Sequence, residues 1–250
     1  MSAARLSAVV ITLNEEDRLR ACLESVAWAD EIVVVDAESQ DKTVQIAREF
    51  TERVVVRPWA GFAAQKNFAL GLATGDWLLS LDADEEVSAE LRDEIHALLR
   101  GHATCDGYAV PRRNIFHDRW IRHGGLYPDW QIRLFRRGRA RFRDREVHES
   151  VQVEGRVGRL RAALLHRSYR NVADFLARAD RYSTLAAEEW RRGGRRARAR
   201  DLLLRPLGRF LGMYVLRLGF LDGWRGLLLA TLYAYYVGMR SAKALERARR

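Results

Sequence analysis

The sequence predicts an α/β protein with a doubly wound, mostly parallel sheet, an antiparallel edge and a C-terminal helical extension. The first hundred residues alternate short β-branched runs with segments of helical spacing, the pattern of parallel strands joined by crossover helices. After residue 107 the apolar runs become shorter and are separated by polar loops, which predicts an antiparallel edge. Beyond residue 171 only helical spacing remains.

The parallel half of the sheet is predicted from apolar runs that show little alternation. Such runs are typical of strands that are covered on both faces. The segments between them carry apolar stripes at helical spacing, and Ser88 is a predicted N-cap for the last of these helices. The predicted strands are Leu6–Leu13, Glu31–Asp36, Arg53–Arg57 and Trp77–Leu81, and the predicted helices are Glu15–Trp28, Asp41–Phe50, Gly61–Ala73 and a last one from Ser88 to Leu99.

The second half of the chain is predicted to hold the antiparallel strands and then helices only. A domain boundary is expected near residue 168, which divides the chain into an α/β domain (1–168) and a basic, amphipathic helical extension (169–250). The predicted strands are Tyr108–Arg112, Gln131–Arg136, Ala140–Val147 and Leu160–His166, and the helices are Val172–Arg192, Asp201–Leu221 and Gly223 to the C-terminus.

Composition and charge narrow the class of protein. Of the 250 residues 48% are hydrophobic, which is enough for a sizeable core and rules out wholesale disorder. Two cysteines cannot build a disulfide framework. The first hundred residues hold 10 basic and 19 acidic side chains, whereas the rest hold 33 basic and 14 acidic ones. This division indicates that the second part of the chain meets anions.

Three carboxylates follow predicted strands at the edge where doubly wound sheets bind ligands. Asp36 ends the second strand, and Asp82 and Asp84 follow the fourth. Carboxylates spaced in this way suit Mg²⁺ or Mn²⁺, which share diphosphate oxygens with a substrate. The alternative is an acidic helix N-terminus, but two matching strand ends favour a binding site. The sequence has no GxGxxG motif after the first strand, which argues against a dinucleotide-binding protein.

These residues lie in motifs that together resemble family 2 glycosyltransferases, whose nucleotide-sugar-binding α/β fold is called GT-A. Three segments, Leu81–Glu86, Tyr127–Arg136 and Val147–Glu149, are similar to bacterial lipopolysaccharide inner-core glucosyltransferases. The motifs that carry the family resemblance are Val10–Glu15 (VITLNE), Val34–Thr43 (VVDAESQDKT), Gln65–Asn67 (QKN) and Gly75–Glu85 (GDWLLSLDADE).

The resemblance implies a donor site and a metal cofactor. It places the nucleotide against the turn after the first strand, its uracil or ribose on Asp36, and the ribose, metal and diphosphate near Asp82 and Asp84. The implied cofactor is Mg²⁺ or Mn²⁺, held by Asp84 and Asp82, and the implied reaction inverts the anomeric centre. The residues expected to bind the nucleotide sugar are Thr12, Leu13, Asn14, Glu15, Asp36, Lys66, Asp82, Arg133 and Arg136.

The catalytic base is left open between two carboxylates. The Glu-Asp motif that usually offers the base in this family does not occur after residue 100. Asp129 precedes a Gln-Ile-Arg segment and is the first choice, and Glu149 in a Val-His-Glu segment is the second. The alternative for each residue is a surface or salt-bridged carboxylate that has no catalytic role.

The C-terminal extension is predicted to lie on a membrane surface or to form a protein interface. Leu202–Leu221 has a broad apolar face interrupted by arginines, and Leu227–Val237 lies between Arg225 and Arg240. Aromatic residues near helix ends with flanking arginines are typical of helices that lie in a membrane interface. The alternative is a helical pair that packs on the catalytic domain or on a second subunit.

The resulting hypothesis is an enzyme that transfers a hexose, glucose by preference, from a UDP-linked donor to a lipopolysaccharide-core or related glycolipid. It is expected in the cytoplasm, peripheral on the inner face of the cell membrane. The alternatives are transfer to a polyprenyl phosphate and a catalytically silent membrane-associated relative. An isoelectric point near 10.2 also suggests a nucleic-acid-binding protein, but acids at strand ends argue against a nucleic-acid partner. The oligomeric state is not predicted.

Overall fold

The computed structural model describes residues 4–143, 150–195 and 197–247. These residues divide into two compact units. The first unit comprises residues 4–112, 129–143 and 150–166, and the second comprises residues 113–128 and the described residues from 167 to 247.

The first unit is built on a parallel sheet with crossover helices. Val10 of the first strand lies opposite Val34 on one side and Leu81 on the other, so that the strands end together at one edge. This confirms the predicted fold class for the first hundred residues. The strands are β1 (Leu6–Thr12), β2 (Glu31–Asp36), β3 (Val54–Val56) and β4 (Trp77–Asp82), and the helices are α1 (Leu19–Ser25), α2 (Thr43–Phe50), α3 (Phe62–Leu72) and α4 (Ala89–Ala97).

Shorter strands extend this sheet, as predicted. Leu79 of β4 lies opposite Leu134 of an antiparallel neighbour, so the start of that neighbour lies near the carboxyl end of β4. The strands are β5 (Glu85–Val87), β6 (Gly107–Phe116), β7 (Arg119–Trp120), β8 (Asp129–Arg136), β9 (Ala140–Arg143), β10 (Ser150–Val153), β11 (Val157–Arg159) and β12 (Leu164–His166). The main strand order is β3-β2-β1-β4-β8-β6-β12-β5, β11 and β7 pair with β6, and β9 and β10 form a separate hairpin.

Helices cover both faces of the parallel strands. Every residue of β1 is buried, and its side chains alternate between two apolar clusters. Val10 packs in the cluster that contains Leu23 of α1, and Val9 packs in the cluster that contains Ala69 of α3. Coverage on both faces explains why β1 shows no polar alternation.

The entry to β4 is fixed by a close approach of backbone to β1. The Gly75 amide donates to the Ser7 hydroxyl at 2.8 Å, and a Cβ at Gly75 would lie only 2.7 Å from that oxygen. Glycine is therefore required where β4 begins beside β1. This contact sets the register that brings the ends of β1 and β4 together.

Several predicted elements differ from the observed ones for local reasons. Helix α1 begins at Leu19 rather than at Glu15, and the residues before it form a turn in which the Glu15 carbonyl accepts from the amides of Arg18 and Leu19. The predicted strand Leu160–His166 is confined to β12, because the amides of Arg161 and Ala162 donate to the carboxylate of Glu94 instead. Strands β5, β10 and β11 have only three or four residues and were not predicted. The last part of the predicted strand Ala140–Val147 lies outside the described residues.

The second unit contains the three C-terminal helices, α5 (Val172–Arg192), α6 (Asp201–Leu211) and α7 (Gly223–Arg247). Helix α5 has its predicted bounds, and the Asn171 side chain caps it by accepting from the Asp174 amide at 2.9 Å. The predicted helix Asp201–Leu221 is interrupted, since Leu218 adopts a left-handed conformation (φ 56°). No helix in the described ranges carries an apolar window long enough to cross a membrane.

Candidate active site

The loops after β1 and β2 are tied together by side-chain hydrogen bonds. The Asn14 amide donates to the Ser39 hydroxyl at 2.8 Å, and the Asn14 side-chain oxygen accepts from the Gln40 amide at 2.8 Å. Asn14 has a φ of 53°, a left-handed conformation that asparagine tolerates well. The Glu15 amide donates to the Thr43 hydroxyl at 2.8 Å. These bonds hold the predicted nucleotide-binding turn in one shape.

Asp36 lies inside this pair of loops. Its side chain is fully buried, and its two oxygens accept from the Ser39 amide at 2.8 Å and from the Ser39 hydroxyl at 2.5 Å. Thr12, at the end of β1, is also buried, and its hydroxyl has no hydrogen-bond partner among the described residues. Leu13 is exposed. Asp36 therefore shapes the loop that carries Ser39, while Leu13 supplies accessible surface.

Asp82, at the end of β4, is held between two buried cations. Its Oδ1 lies 2.8 Å from Lys66 Nζ of α3, and its Oδ2 lies 2.5 Å from Arg133 Nη2 of β8. Lys66 is 1% exposed and Arg133 is 4% exposed. Burial raises the pKa of Asp82, but the charges of Arg133 and Lys66 outweigh it, so the pKa lies well below its usual range. The structure thus brings together three of the predicted site residues.

Glu85 is a buried carboxylate that the sequence interpretation did not single out. Its Oε1 accepts from Arg133 Nη2 at 2.7 Å and from Arg112 Nη1 at 3.1 Å, and its Oε2 accepts from the Asp82 amide at 3.1 Å. The sequence holds one signal for this position, since Glu85 alternates with the apolar residues Ala83 and Val87 and so shares their side of an extended segment. Glu85 therefore positions both arginines and the backbone of Asp82.

Asp84 lies beside two basic side chains, Arg18 and His166. Its Oδ2 lies 3.6 Å from Arg18 Nη1 and 3.6 Å from His166 Nε2. Burial raises the pKa of Asp84, but the opposing effect of His166 and then of Arg18 is larger, so the pKa lies below its usual range. In the sequence analysis His166 is only the last residue of the predicted strand Leu160–His166. Its position follows from strand pairing, because His166 lies opposite Glu85 where β12 meets β5.

Asp129, at the start of β8, extends the network of buried charges around Asp82. We call this network the charged cluster, and its members are Lys66, Asp82, Arg133, Glu85, Arg112 and Asp129. Arg112 donates to its Oδ2 from Nε at 2.9 Å and from Nη2 at 2.5 Å, and Gln131 Nε2 donates to its Oδ1 at 2.9 Å. Burial raises the pKa of Asp129, but Arg112 and Gln131 lower it more, so the carboxylate is ionised at neutral pH. Arg112 also contacts Glu85, so Asp129 belongs to the same network as Asp82. Glu149, the other candidate base, lies outside the described residues.

Arg136 is not brought to this cluster. It lies opposite Trp77 at the start of β4 and stacks on that ring at 4.7 Å from the centroid. Asp82 lies five residue steps beyond Trp77 along the extended strand, a distance of about 17 Å. Arg136 also lies 3.8 Å from a carboxylate oxygen of Asp106. The side chain of Arg136 therefore lies at the start of β4, at the other end of the strand from Asp82.

The donor set for a divalent cation is small. No group of three or more His, Cys, Asp or Glu side chains among the described residues is arranged to hold a metal ion. Both oxygens of Asp82 contact cations, which leaves Asp84 as the carboxylate suited to a metal. Mg²⁺ commonly takes one or two protein carboxylates and completes its shell with phosphate oxygens and water. The residues fit such an ion when a diphosphate supplies further ligands.

The fold is similar to those of solved nucleotide-sugar enzymes. The mannosyltransferase PcManGT from Pyrobaculum calidifontis, solved with GDP-Man and Mn²⁺, is 16% identical, with a TM-score of 0.55 over 98% of this chain and 88% of its own. The S. aureus protein TarS, solved with UDP-GlcNAc, is 16% identical, with a TM-score of 0.50 over 98% and 91% of the two chains. These similarities confirm the predicted GT-A-like fold.

Comparison with other sequences identifies the family. The lipopolysaccharide core biosynthesis glycosyltransferase LpsC of Rhizobium meliloti (strain 1021) is 34% identical over 97% of this chain and 92% of its own. An uncharacterized glycosyltransferase of Rickettsia felis is 30% identical over 97% and 90% of the two chains. The family model described as glycosyl transferase family 2 matches residues 7–164, which include the whole charged cluster. The chain therefore belongs to glycosyl transferase family 2.

Proposed function

We propose that this glycosyltransferase is an inverting enzyme that moves glucose from UDP-glucose to a lipopolysaccharide core or a related glycolipid. The observation that carries the proposal is the buried cation pair, Lys66 and Arg133, held by Asp82 at the carboxyl edge of β4. A lipopolysaccharide core acceptor is supported by the name of the Rhizobium relative, and a UDP-linked donor by the nucleotide sugar bound to TarS.

The donor lies along the edge formed by β1, β2 and β4 in this proposal. The turn from Thr12 to Glu15 and the Ser39 loop hold the nucleoside, and Asp36 acts by fixing that loop. Lys66 and Arg133 provide positive charge for the diphosphate, with the guanidinium suited to planar, paired contacts with phosphate oxygens. Since both cations are buried, their side chains are already oriented before the donor arrives.

Asp84 is the residue proposed to hold Mg²⁺ or Mn²⁺ together with the donor diphosphate. The ion would neutralise the negative charge that develops on the departing nucleoside diphosphate. Arg18 and His166 keep the Asp84 carboxylate ionised and oriented. Asp82, the other expected ligand, instead positions Lys66 and Arg133.

Asp129 is the proposed catalytic base. The acceptor hydroxyl attacks the anomeric carbon from the face opposite the diphosphate, the new carbon–oxygen bond forms, and the bond to the diphosphate breaks. Asp129 takes the hydroxyl proton, and UDP leaves with the electron pair of the broken bond. A carboxylate of low pKa suffices, because the hydroxyl becomes strongly acidic as its oxygen bonds to the anomeric carbon. Glu149 is the second candidate.

A cytoplasmic location on the inner face of the cell membrane is part of the proposal. It follows from the chemistry of the two substrates, because a nucleotide sugar is a soluble cytosolic donor and a glycolipid is anchored in the bilayer. The enzyme would then work where the two phases meet.

The proposal is tested with the full chain, UDP-glucose, Mn²⁺ and detergent-dispersed lipopolysaccharide core that lacks its outer sugars. We expect transfer of glucose with a β linkage in the product, since the donor is α-linked and a single displacement inverts the centre. The product linkage is read from the anomeric proton coupling by NMR. An α-linked product would contradict the inverting mechanism, and failure to transfer any UDP-hexose would contradict the donor assignment. Asp93→Asn, which removes an exposed carboxylate outside the cluster, is the matched control.

A further inference from the structure

Helix α6 and the segment after it expose an unusual amount of apolar surface in the second unit. No residue of α6 is buried, Leu203 is 76% exposed, and Leu216 is 80% exposed. We call this surface the apolar face. It is represented by Leu203, Leu204, Leu207, Leu211, Leu216 and Trp224, all exposed. An exposed set of this size marks an interaction site rather than ordinary surface variation.

Helix α6 turns its arginines toward neighbouring helices and its leucines away from them. The guanidinium of Arg205 stacks on Trp190 of α5 at 4.6 Å from the ring centroid, and Arg209 stacks on Tyr233 of α7 at 5.5 Å. At 3.6 residues per turn, the four leucines of α6 in the apolar face share an arc of about 100° on the other side of the helix. The exposed leucine stripe is therefore fixed in place by arginine contacts on the opposite side of the helix.

The charge around the apolar face is strongly positive. Residues 193–245 contain ten Lys and Arg side chains and two acidic ones. Both acids are engaged, because Asp201 pairs with Arg205 at 3.1 Å and Asp222 accepts from the His123 amide at 2.8 Å. Arg200 precedes α6 and Arg217 follows the turn after it, and both are exposed. The apolar face is thus bordered by exposed arginines.

We infer that the apolar face is a docking surface for a bilayer that contains anionic phospholipid. The leucines and Trp224 enter the boundary between headgroups and acyl chains, and Arg200 and Arg217 meet lipid phosphates. Helix α6 is about 16 Å long at 1.5 Å per residue, against a hydrocarbon core of about 30 Å, so it lies along the surface. A symmetric contact with a second copy would place arginines against arginines, which disfavours that occupant. The inference deepens the proposed membrane location and rests on that part of the proposed function.

The test is co-sedimentation of the full chain with vesicles of phosphatidylcholine, alone or with about 30% phosphatidylglycerol. We expect binding to be at least about tenfold stronger on the anionic vesicles. The double variant Leu203→Ser/Leu207→Ser should weaken binding about tenfold or more. Leu176→Ser, at an exposed leucine of α5 outside the apolar face, is the matched control and should bind like the parent.

A second variant tests the charge separately. Arg200→Gln/Arg217→Gln should weaken binding to the anionic vesicles about fivefold for each arginine and change binding to phosphatidylcholine much less. Thermal stabilisation by UDP and Mn²⁺ is measured in every variant and should stay unchanged, so that a failure of docking is told apart from a failure of the donor site.

Three outcomes would overturn the inference. The first is that the parent protein binds neither vesicle. The second is that the leucine variant binds as well as the parent. The third is a concentration-dependent dimer, seen by light scattering, that the leucine substitutions abolish, because the apolar face would then join two copies of the chain.

Discussion

In most proteins charged side chains are exposed and apolar ones are buried. The charged cluster of the first unit and the apolar face of the second are opposite exceptions to this rule. The cluster buries charges, with Glu85 fully buried and Lys66 1% exposed, whereas the apolar face exposes Leu203 and Leu216 by more than three quarters. Soluble proteins rarely bury charges without partners, and large exposed apolar sets mark interaction sites. The buried charges find their partners inside the chain, and the exposed leucines require a partner outside it.

The charge balance of the cluster supports the proposal that a divalent cation accompanies the donor. Three carboxylates and three cations form one chain of contacts, so the cluster is neutral as it stands. A donor diphosphate would add negative charge, which a divalent cation cancels. The contacts run from Lys66 through Asp82, Arg133, Glu85 and Arg112 to Asp129.

The largest expected effect comes from removing the proposed metal ligand. Asp84→Ala should lower the transfer rate by about 10³-fold or more, because the leaving diphosphate loses its charge neutralisation. Initial rates with saturating UDP-glucose and Mn²⁺ measure the effect, and vesicle binding should not change. A rate within a few-fold of the parent would separate Asp84 from the chemistry.

The next largest loss of activity is expected from removing the proposed catalytic base, Asp129. Asp129→Asn should lower kcat by about 10²-fold or more and leave the affinity for UDP nearly unchanged, since the proton acceptor is lost and the donor contacts remain. Glu149→Gln is assayed beside it. If the Glu149 variant loses turnover and the Asp129 variant does not, the base is Glu149.

A smaller loss of activity, accompanied by a loss of stability, is expected at Glu85. Glu85→Gln keeps the shape of the side chain but leaves Arg112 and Arg133 with less compensating charge in a buried place. We expect transfer to fall by about 30-fold, as for other residues that orient a site, and the free energy of unfolding to fall by about 3 kcal/mol. Rates and urea unfolding of Glu85→Gln and of the exposed control Asp93→Asn measure both. Equal stability of the two variants would show that the arginines do not depend on Glu85.

The smallest expected effect is the change in the free energy of unfolding at an exposed leucine of the apolar face. Leu203→Ala should change the free energy of unfolding by no more than about 0.5 kcal/mol, because the side chain is mostly in solvent. Leu79→Ala in the fully buried centre of β4 should cost about 3 kcal/mol. Urea unfolding without lipid measures both changes. A large loss for Leu203→Ala would mean that the leucine packs inside the protein in solution.

The sequence predicted the elements whose periodicity is long and continuous. Helix α5 and strand β2 have their predicted bounds, and Asp82 ends β4 with Asp84 just beyond it, as expected. The pairing of Glu85 and His166 could not be predicted, because it depends on the register of β12 on β5. That register joins residues about eighty positions apart, and no local pattern encodes it.

Arg133 and Arg136 show the same limit within one strand. Both were expected to bind the nucleotide sugar, but side chains three residues apart on a strand point to opposite faces. Arg133 contacts Asp82 and Glu85, whereas Arg136 stacks on Trp77. The strand direction and face follow from the pairing of β8 with β4, which the sequence alone did not supply.

The most direct test of the central claim is the unfolding temperature of the full chain with UDP and Mn²⁺, each alone and together. We expect a clear rise only when both are present, in the parent and in Leu203→Ser, and no rise in Asp84→Asn. An equal rise with UDP in the presence of a chelator, or an equal rise in Asp84→Asn, would contradict the proposal that Asp84 holds a metal ion together with the donor diphosphate.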